Sequence, residues 1–395
     1  MRFGVNYIPS DKWLHSWIDF DKKTIYNDLV AIKSLGFDHI RAHLLWSYFQ
    51  PNENRMSEHC MRNLKIFDRL CREVGIEYFL SLFTGFMSGF FFFPAWIKRN
   101  NSFAVFTGKN EIKAEKYYIE QVAEIVAYSS AFLGFDLGNE LTTMTWLDKK
   151  ANTSSVDWWQ RELLSYCSEK APGRLHSNGV DHQPWFYTPT YNSFSRQALS
   201  NAEEVIPLHC WTEYTGAKQH SGLLGNASIY ISDYMAQLSK AYSIDAHKPV
   251  WIQEIGCSSL WLNECDSIEN FAVRTLETIA DIPDCWGVTW WCSHDISSQL
   301  QGYNPLEYDL GVLDTGNRPK PYAKVISEWI SNYRKNPVKP QSRTKAMLYE
   351  PNVDEWKNID RYLSILSTGI KPTIILPENV NNSEWKNKRN IQEIL

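Results

Sequence analysis

Short runs of consecutive apolar residues alternate along this chain with longer stretches in which apolar residues recur every three or four positions. The first pattern predicts strands buried on both faces, the second amphipathic helices, and their alternation predicts parallel strands joined by crossover helices. RFGVNYI reads as the first strand, followed by the helix KKTIYNDLVAIKSLG, which ends at Gly36. FDHIRAHLL and CMRNLKIFDRLCREVG repeat the unit, with Gly75 as the stop. IEYFLSLF, an aromatic loop and EIKAEKYYIEQVAEIVAYSS form the third; FLGFDLG and the helix around VDWWQRELLSYCSEKA form the fourth. The fifth strand falls somewhere in GRLHSNGVDHQPWFYTP. EEVIPLHCW with SIYISDYMAQLSKAYSI, KPVWIQEIG with IENFAVRTLETIADI, and CWGVTWWC with PYAKVISEWISNYRK complete eight units.

Eight strand-helix units predict an α/β fold, a (β/α)8 TIM barrel over residues 1–335, enlarged by loops beyond the typical ~250 residues. Alternation alone also suits an open doubly wound sheet, but no G-x-G-x-x-G follows the first strand. Residues 336–395 fall outside this count. After NPVKPQSR, a strand in TKAMLYE, a helix in VDEWKNIDRYLSILSTG and a strand in KPTIILPEN predict a small βαβ extension. Such a unit buries little by itself and is expected to dock on the barrel or on a partner chain, which leaves a homo-oligomer open.

Composition narrows the partners. A net charge of −5 provides no basic footprint for nucleic acid. No apolar run approaches the ~18 residues of a membrane span, and MRFGVNYIPS enters a strand without the basic and apolar regions of a signal peptide. The eight cysteines form no C-x-x-C pair and lie in apolar stretches, as thiols in a reducing cytoplasm would. Seventeen tryptophans suit either a dense core or flat platforms for sugar rings, whose C–H faces stack on indoles.

Chemistry is expected where strands end, since the C-terminal ends of barrel strands share one mouth. Asn139 and Glu140 end the fourth strand and Glu254 the seventh, on roughly opposite sides of that mouth. Two facing carboxylates are what glycoside hydrolysis needs, one to give a proton to the leaving oxygen and one to attack the anomeric carbon. Glu140 alone could be a helix cap, Arg41 a structural ion-pair partner, and of Trp290 and Trp291 at most one faces the mouth. His209 with Cys210, or His294 with Asp295, lacks a zinc spacing, and Ser258-Ser259 makes no nucleophile elbow. No metal or organic cofactor is expected.

Taken together, Asn139-Glu140, Glu254, Arg41, His209 and Trp290-Trp291 resemble the retaining β-glycosidase barrels, in particular glycoside hydrolase family 5. MRFGVNYIPS, LGNE, VWIQEIG and GVTWWCSHD are similar to its subfamily 18, intracellular β-mannosidases acting on Man-β-1,4-GlcNAc of the N-glycan core. The resemblance implies Glu140 as general acid/base, Glu254 as nucleophile, Asn139 on the sugar 2-hydroxyl and Arg41 beside Glu254. It also implies His209 lining the site and Trp290 or Trp291 under the reacting ring. Two departures accompany it. His209-Cys210-Trp211 replaces the family's His-x-Tyr, which leaves the parts of Trp211 and Tyr214 open, and Phe83-Thr84 stands where many members carry His.

The implied activity is a retaining exo-β-mannosidase on short oligosaccharides; the long loops FTGFMSGFFFFPAWI, WTEYTGAKQHSG and CSSLWLNECD either wall the mouth into a pocket for one terminal sugar, which favours exo action, or serve as aromatic packing. An endo-β-mannanase or a β-glucosidase or β-galactosidase type of enzyme is the alternative on the same barrel. A sugar-binding barrel without catalysis is the more distant one.

Overall fold

The computed structural model describes residues 1–99, 102–186, 193–202, 204–264 and 266–395. Seven parallel strands form a curled sheet: Arg2–Tyr7, His39–Leu45, Glu77–Thr84, Phe132–Gly138, Ile206–His209, Val250–Ile255 and Cys285–Trp290. The first strand pairs with the second on one side and with the last on the other, so the sheet wraps round on itself.

The fifth position differs from expectation. Within the predicted stretch, whose residues 187–189 lie outside the described ones, no regular strand forms. Residues 175–177 nevertheless continue the ladder, since Leu175 N donates to Leu133 O (2.9 Å), Ser177 N to Phe135 O (2.9 Å) and Leu137 N to Ser177 O (2.8 Å). Gly134 permits this approach, because a Cβ there would come within 1.6 Å of Leu175 O. One barrel stave is therefore irregular, and the mixed polar and turn-forming composition of its sequence is the reason.

The expected helices surround the sheet, among them Lys22–Ser34, Glu58–Val74, Lys109–Val126, Thr153–Lys170, Asn226–Tyr242, Ile268–Ala280 and Pro321–Lys335. Polar side chains set several of their starts: Asp21 accepts from Lys23 N, Ser57 from Cys60 N and Ser267 from Asn270 N. Gly75 ends the second helix at φ +73°, as its position predicts.

Alternation along the strands fills the barrel in layers. At the bottom Phe79 stacks on Trp251 with ring centroids 4.4 Å apart, while His39 Nε2 and Trp251 Nε1 meet Thr289 Oγ1 at 2.8 and 2.7 Å. Two residues further along, the same inward face becomes charged, with Arg41 on the second strand and Asp136 on the fourth. A buried charge in so apolar a frame requires a partner.

The C-terminal segment holds more than the expected βαβ. Its three-stranded parallel sheet places Lys345–Leu348 between Thr373–Ile375 and Glu393–Ile394, with helices Glu355–Ser367 and Ser383–Lys388. The last strand is two residues long, too short to carry a periodic pattern. This segment packs on the barrel helix Asn226–Tyr242, which is consequently buried on nearly every side. Across that seam Arg343 pairs with Asp233 at 2.8 Å, Tyr362 donates to the same Asp233 at 2.8 Å, and Arg196 donates to Glu355 at 2.9 Å, with Tyr349 of the segment itself donating to Glu355 at 2.8 Å.

Candidate active site

Arg41 organises the mouth. Its guanidinium is fully buried and donates to four neighbours: Asp136 Oδ2 at 2.7 Å, Asn6 Oδ1 at 3.1 Å, Glu254 Oε1 at 2.7 Å and Gly138 O at 3.2 Å. Gly179 makes room for it, since a Cβ there would stand 2.6 Å from Arg41 Nη2 and 1.8 Å from Gly138 O. A planar cation with several donors satisfies two carboxylates at once, which a lysine could not do with fixed geometry.

Glu254 reaches this cation through an irregularity in its strand. The pairing with Ile206–His209 shifts register between Ile252 and Glu254. Strict alternation would send Gln253 and Glu254 to opposite faces, yet both side chains engage the barrel interior, Gln253 Oε1 meeting His209 Nε2 at 2.9 Å. Trp211 Nε1 donates to Glu254 Oε2 at 3.0 Å. The indole thus supplies one hydrogen bond to the carboxylate, and Tyr214, half exposed, packs edge-on against Trp211 rather than reaching it.

Glu140 stands opposite with a backbone φ of +47°, a left-handed conformation that non-glycine residues rarely adopt. Thr143 holds the turn by donating its N–H and hydroxyl to Glu140 O at 3.0 and 2.7 Å. The neighbouring Asn139 is buried, its Nδ2 giving a 3.4 Å hydrogen bond to Phe86 O and its Oδ1 without a partner among the described residues. His209 lies between the two glutamates, with Nδ1 3.5 Å from Glu140 Oε1 and 3.4 Å from Glu254 Oε2. One oxygen of each glutamate and this nitrogen all lie within 4.8 Å of one another.

A cavity of about 370 Å³ opens above these groups and is lined by Asn139, Glu140, Trp211, Tyr214, Glu254 and Trp291 among others. Of the tryptophan pair, only Trp291 borders it; Trp290 points away and packs near Phe271 and Tyr322. At one end the hairpin of Phe86–Met87 and Phe90–Phe91 turns through Ser88 and Gly89, both with positive φ, and meets the segment 302–307. Phe90 lies edge-on to Tyr303 with centroids 5.0 Å apart. That contact and the hydrogen bond from Ser88 to Glu307 join the hairpin to this segment beside the cavity.

Carboxyl groups outnumber cations here, and the field shows it. Burial pushes the Glu254 carboxyl up from its ordinary value, while His209 and Arg41 pull it back down. For His209 burial favours the neutral ring, but Glu254 and Glu140 outweigh it and raise the imidazole. Burial lifts Asp181 to about 6 and lowers His182, in the same wall, to about 4. Asp136, Asn6, Gln253, Asp181 and His182 carried no signal in isolation, although an aspartate in the middle of FLGFDLG could have been found by asking what neutralises Arg41.

Glu140, His209 and Glu254 are also a donor set of the kind that binds divalent cations. Arg41 and Trp211 already hold one oxygen each of Glu254, so an ion there would compete with a guanidinium for the same carboxylate.

No protein-family model and no curated protein sequence matches the chain. Solved structures do. The subfamily 18 enzyme of glycoside hydrolase family 5 from Streptomyces cattleya, in complex with GlcNAc, superposes with a TM-score of 0.95 at 29% identity, covering 100% of this chain and 97% of its own. A Glu→Ala variant of the subfamily 18 enzyme from Bifidobacterium longum subsp. longum, in complex with Manβ1-4GlcNAc, gives 0.92 at 28%, covering 100% and 95%. An exo-β-1,4-mannosidase from an Opitutaceae bacterium shares the fold at 0.81 and 21%, covering 100% of this chain and 72% of its own. A barrel whose mouth faces two glutamates across one cavity, matched end to end by such enzymes, is a glycoside hydrolase. Within that class the chain resembles subfamily 18 of family 5.

Proposed function

We propose that this glycoside hydrolase is a retaining exo-β-mannosidase acting on short β-mannosides such as Man-β-1,4-GlcNAc. The observation that carries the mechanism is the closeness of the two glutamates, an oxygen of Glu140 lying within 4.8 Å of one of Glu254. Retaining enzymes hold their carboxyl groups about 5–5.5 Å apart and inverting ones roughly 6.5–9.5 Å, to admit a water. Glu254 would attack the anomeric carbon as the glycosidic C–O bond breaks, and Glu140 would give its proton to the leaving oxygen. Water then attacks the glycosyl ester, losing its proton to Glu140, and Glu254 departs as carboxylate.

Arg41, His209 and the Trp211 N–H favour the charged form of Glu254 against its burial. Asn139 Oδ1, buried and unpartnered among the described residues, suits a sugar 2-hydroxyl, a contact that tightens as positive charge grows at the anomeric centre. Trp291 suits the platform beneath the ring, and Tyr214 and Trp211 the side wall. The wall formed where Ser88 of the hairpin meets Glu307 favours release of single terminal sugars over cleavage within a polymer. The Manβ1-4GlcNAc bound by a subfamily 18 enzyme supports the substrate. No helix among the described residues is long and apolar enough to cross a membrane. With seven described cysteines free and Cys265 outside the described residues, a cytoplasmic role in breakdown of N-glycan core fragments fits.

A proton NMR time course with Man-β-1,4-GlcNAc tests the reading. Early β-mannose is expected; α-mannose as the first anomer would exclude retention, and no release would move the substrate to another β-glycoside.

A further inference from the structure

A third carboxylate shares the cavity, and the two-glutamate mechanism does not use it. Glu307 sits in the short turn Pro305–Tyr308 of the loop after the last barrel strand, and lines the same cavity as Glu140 and Glu254. Its Oε2 accepts a hydrogen bond from Ser88 Oγ at 3.1 Å, where the hairpin meets this loop at the cavity wall. Among the described residues its Oε1 accepts no hydrogen bond, and no Lys, Arg or His forms an ion pair with it. Lys320, which reaches into this loop, is taken up by Asp295 and Asp309.

Burial, and then the charges of Glu140 and Glu254, push the Glu307 carboxyl up to about 7. A group so placed costs stability, and function is the usual reason such a cost persists. The latch to Ser88 could be made by any neutral acceptor, so it does not explain a carboxyl. Hydroxyl-rich ligands do, because a carboxyl oxygen with an open lone pair at a pocket's wall accepts from a sugar hydroxyl in either protonation state.

Resting on the exo-acting reading above, we propose that Glu307 is a specificity-determining residue that binds a hydroxyl of the non-reducing terminal sugar at the cavity wall formed with Ser88. The hydroxyls available are those remote from the reacting carbon, at C3, C4 or C6, because Asn139 and the two catalytic glutamates surround the anomeric end. Ser88 would then hold the Glu307 side chain at that wall without touching the sugar chemistry.

The test is a cycle of enzyme variants against sugars lacking one hydroxyl at a time. On an aryl β-mannoside, Glu307→Ala should lose about thirtyfold or more in kcat/KM, and Ser88→Ala only about threefold. On the 3-, 4- or 6-deoxy analogue that lacks the bound hydroxyl, Glu307→Ala and the unaltered enzyme should differ by less than about threefold. Equal losses on the parent and all three deoxy sugars would overturn the proposal, as would equal losses for Glu307→Ala and Ser88→Ala, which would make Glu307 only a latch. Glu307→Gln keeps size and one acceptor oxygen; an intermediate loss that vanishes on the same deoxy sugar supports the proposal even where the alanine variant folds poorly. If the unaltered enzyme turns over a different β-glycoside, the mannosidase reading fails and the same series on that sugar still decides the part played by Glu307.

Discussion

Among the described residues, buried arginines meet carboxylates both at the barrel mouth and at the seam with the C-terminal segment. At the seam Arg343 and Arg196 face Asp233 and Glu355; Tyr362 and Tyr349 donate to oxygens those arginines also hold, and Tyr234 takes the other oxygen of Glu355. At the mouth Arg41 faces Asp136 and Glu254, but beside it Asn139 Oδ1 is buried with no hydrogen-bond partner among the described residues, His209 Nδ1 stands at long range from both glutamates, and Glu254 borders a cavity. The same chemistry holds two surfaces together in one case and waits for a ligand in the other. What separates them is whether the acceptors are already filled.

The largest expected effect sharpens that contrast at the mouth. Glu254→Ala should lower turnover by on the order of 10⁴-fold or more, with azide restoring activity as an α-glycosyl azide; rescue as the β-azide would assign Glu254 the acid/base part instead. Glu140→Ala should harm the disaccharide far more than an activated aryl glycoside, since only a poor leaving group needs its proton. Equal losses on both would remove Glu140 from that role. Neither change strands Arg41, which retains Asp136, Asn6 and the Gly138 carbonyl, so both variants should melt close to the parent.

At the seam the balance is reversed. Asp233→Ala leaves Arg343 buried beside a hole and should cost ~3–5 kcal/mol in denaturant unfolding, while kcat of the folded fraction stays near the parent value. A smaller stability loss there than in Glu254→Ala would erase the distinction between the two clusters.

The smallest effect is a pH dependence. Burial raises Asp181 from an ordinary 3.8 to about 6, so the folded state holds this proton more tightly than the unfolded chain does. The stability it contributes is therefore present below the lower value and is lost as pH rises through about 6. Asp181→Asn should flatten the fall in stability between about pH 4 and 7 by ~1–3 kcal/mol, read from denaturant unfolding at both ends. An unchanged slope would place the titration elsewhere.

Much of the seam and mouth differed in legibility. Strand ends are marked by composition, so Glu140, Glu254 and Arg41 could be read from strings such as FLGFDLGNE and KPVWIQEIG, and all three converge in space. Partners that act through geometry were not visible. Asn6 and Asp136 are ordinary residues until Arg41 lies between them, and Glu307 sits in a loop whose return to the mouth depends on its contact with the hairpin at Ser88. The choice between Trp290 and Trp291 needed the strand's phase at its last residue, which periodicity alone does not set. The fifth stave and the two-residue strand Glu393–Ile394 are held by tertiary pairing rather than by any local pattern.

The register shift before Glu254 also bears on how this chain can change over time. Loops beyond the strand ends can lengthen or shorten while the barrel persists, because their ends stay fixed. Inside Val250–Ile255 no such freedom exists: gaining or losing one residue would rotate the carboxylate away from Arg41 and toward the surrounding helices. Descendants of this sequence can therefore explore new sugars by remodelling the rim, but at that strand only by exchanging one side chain for another.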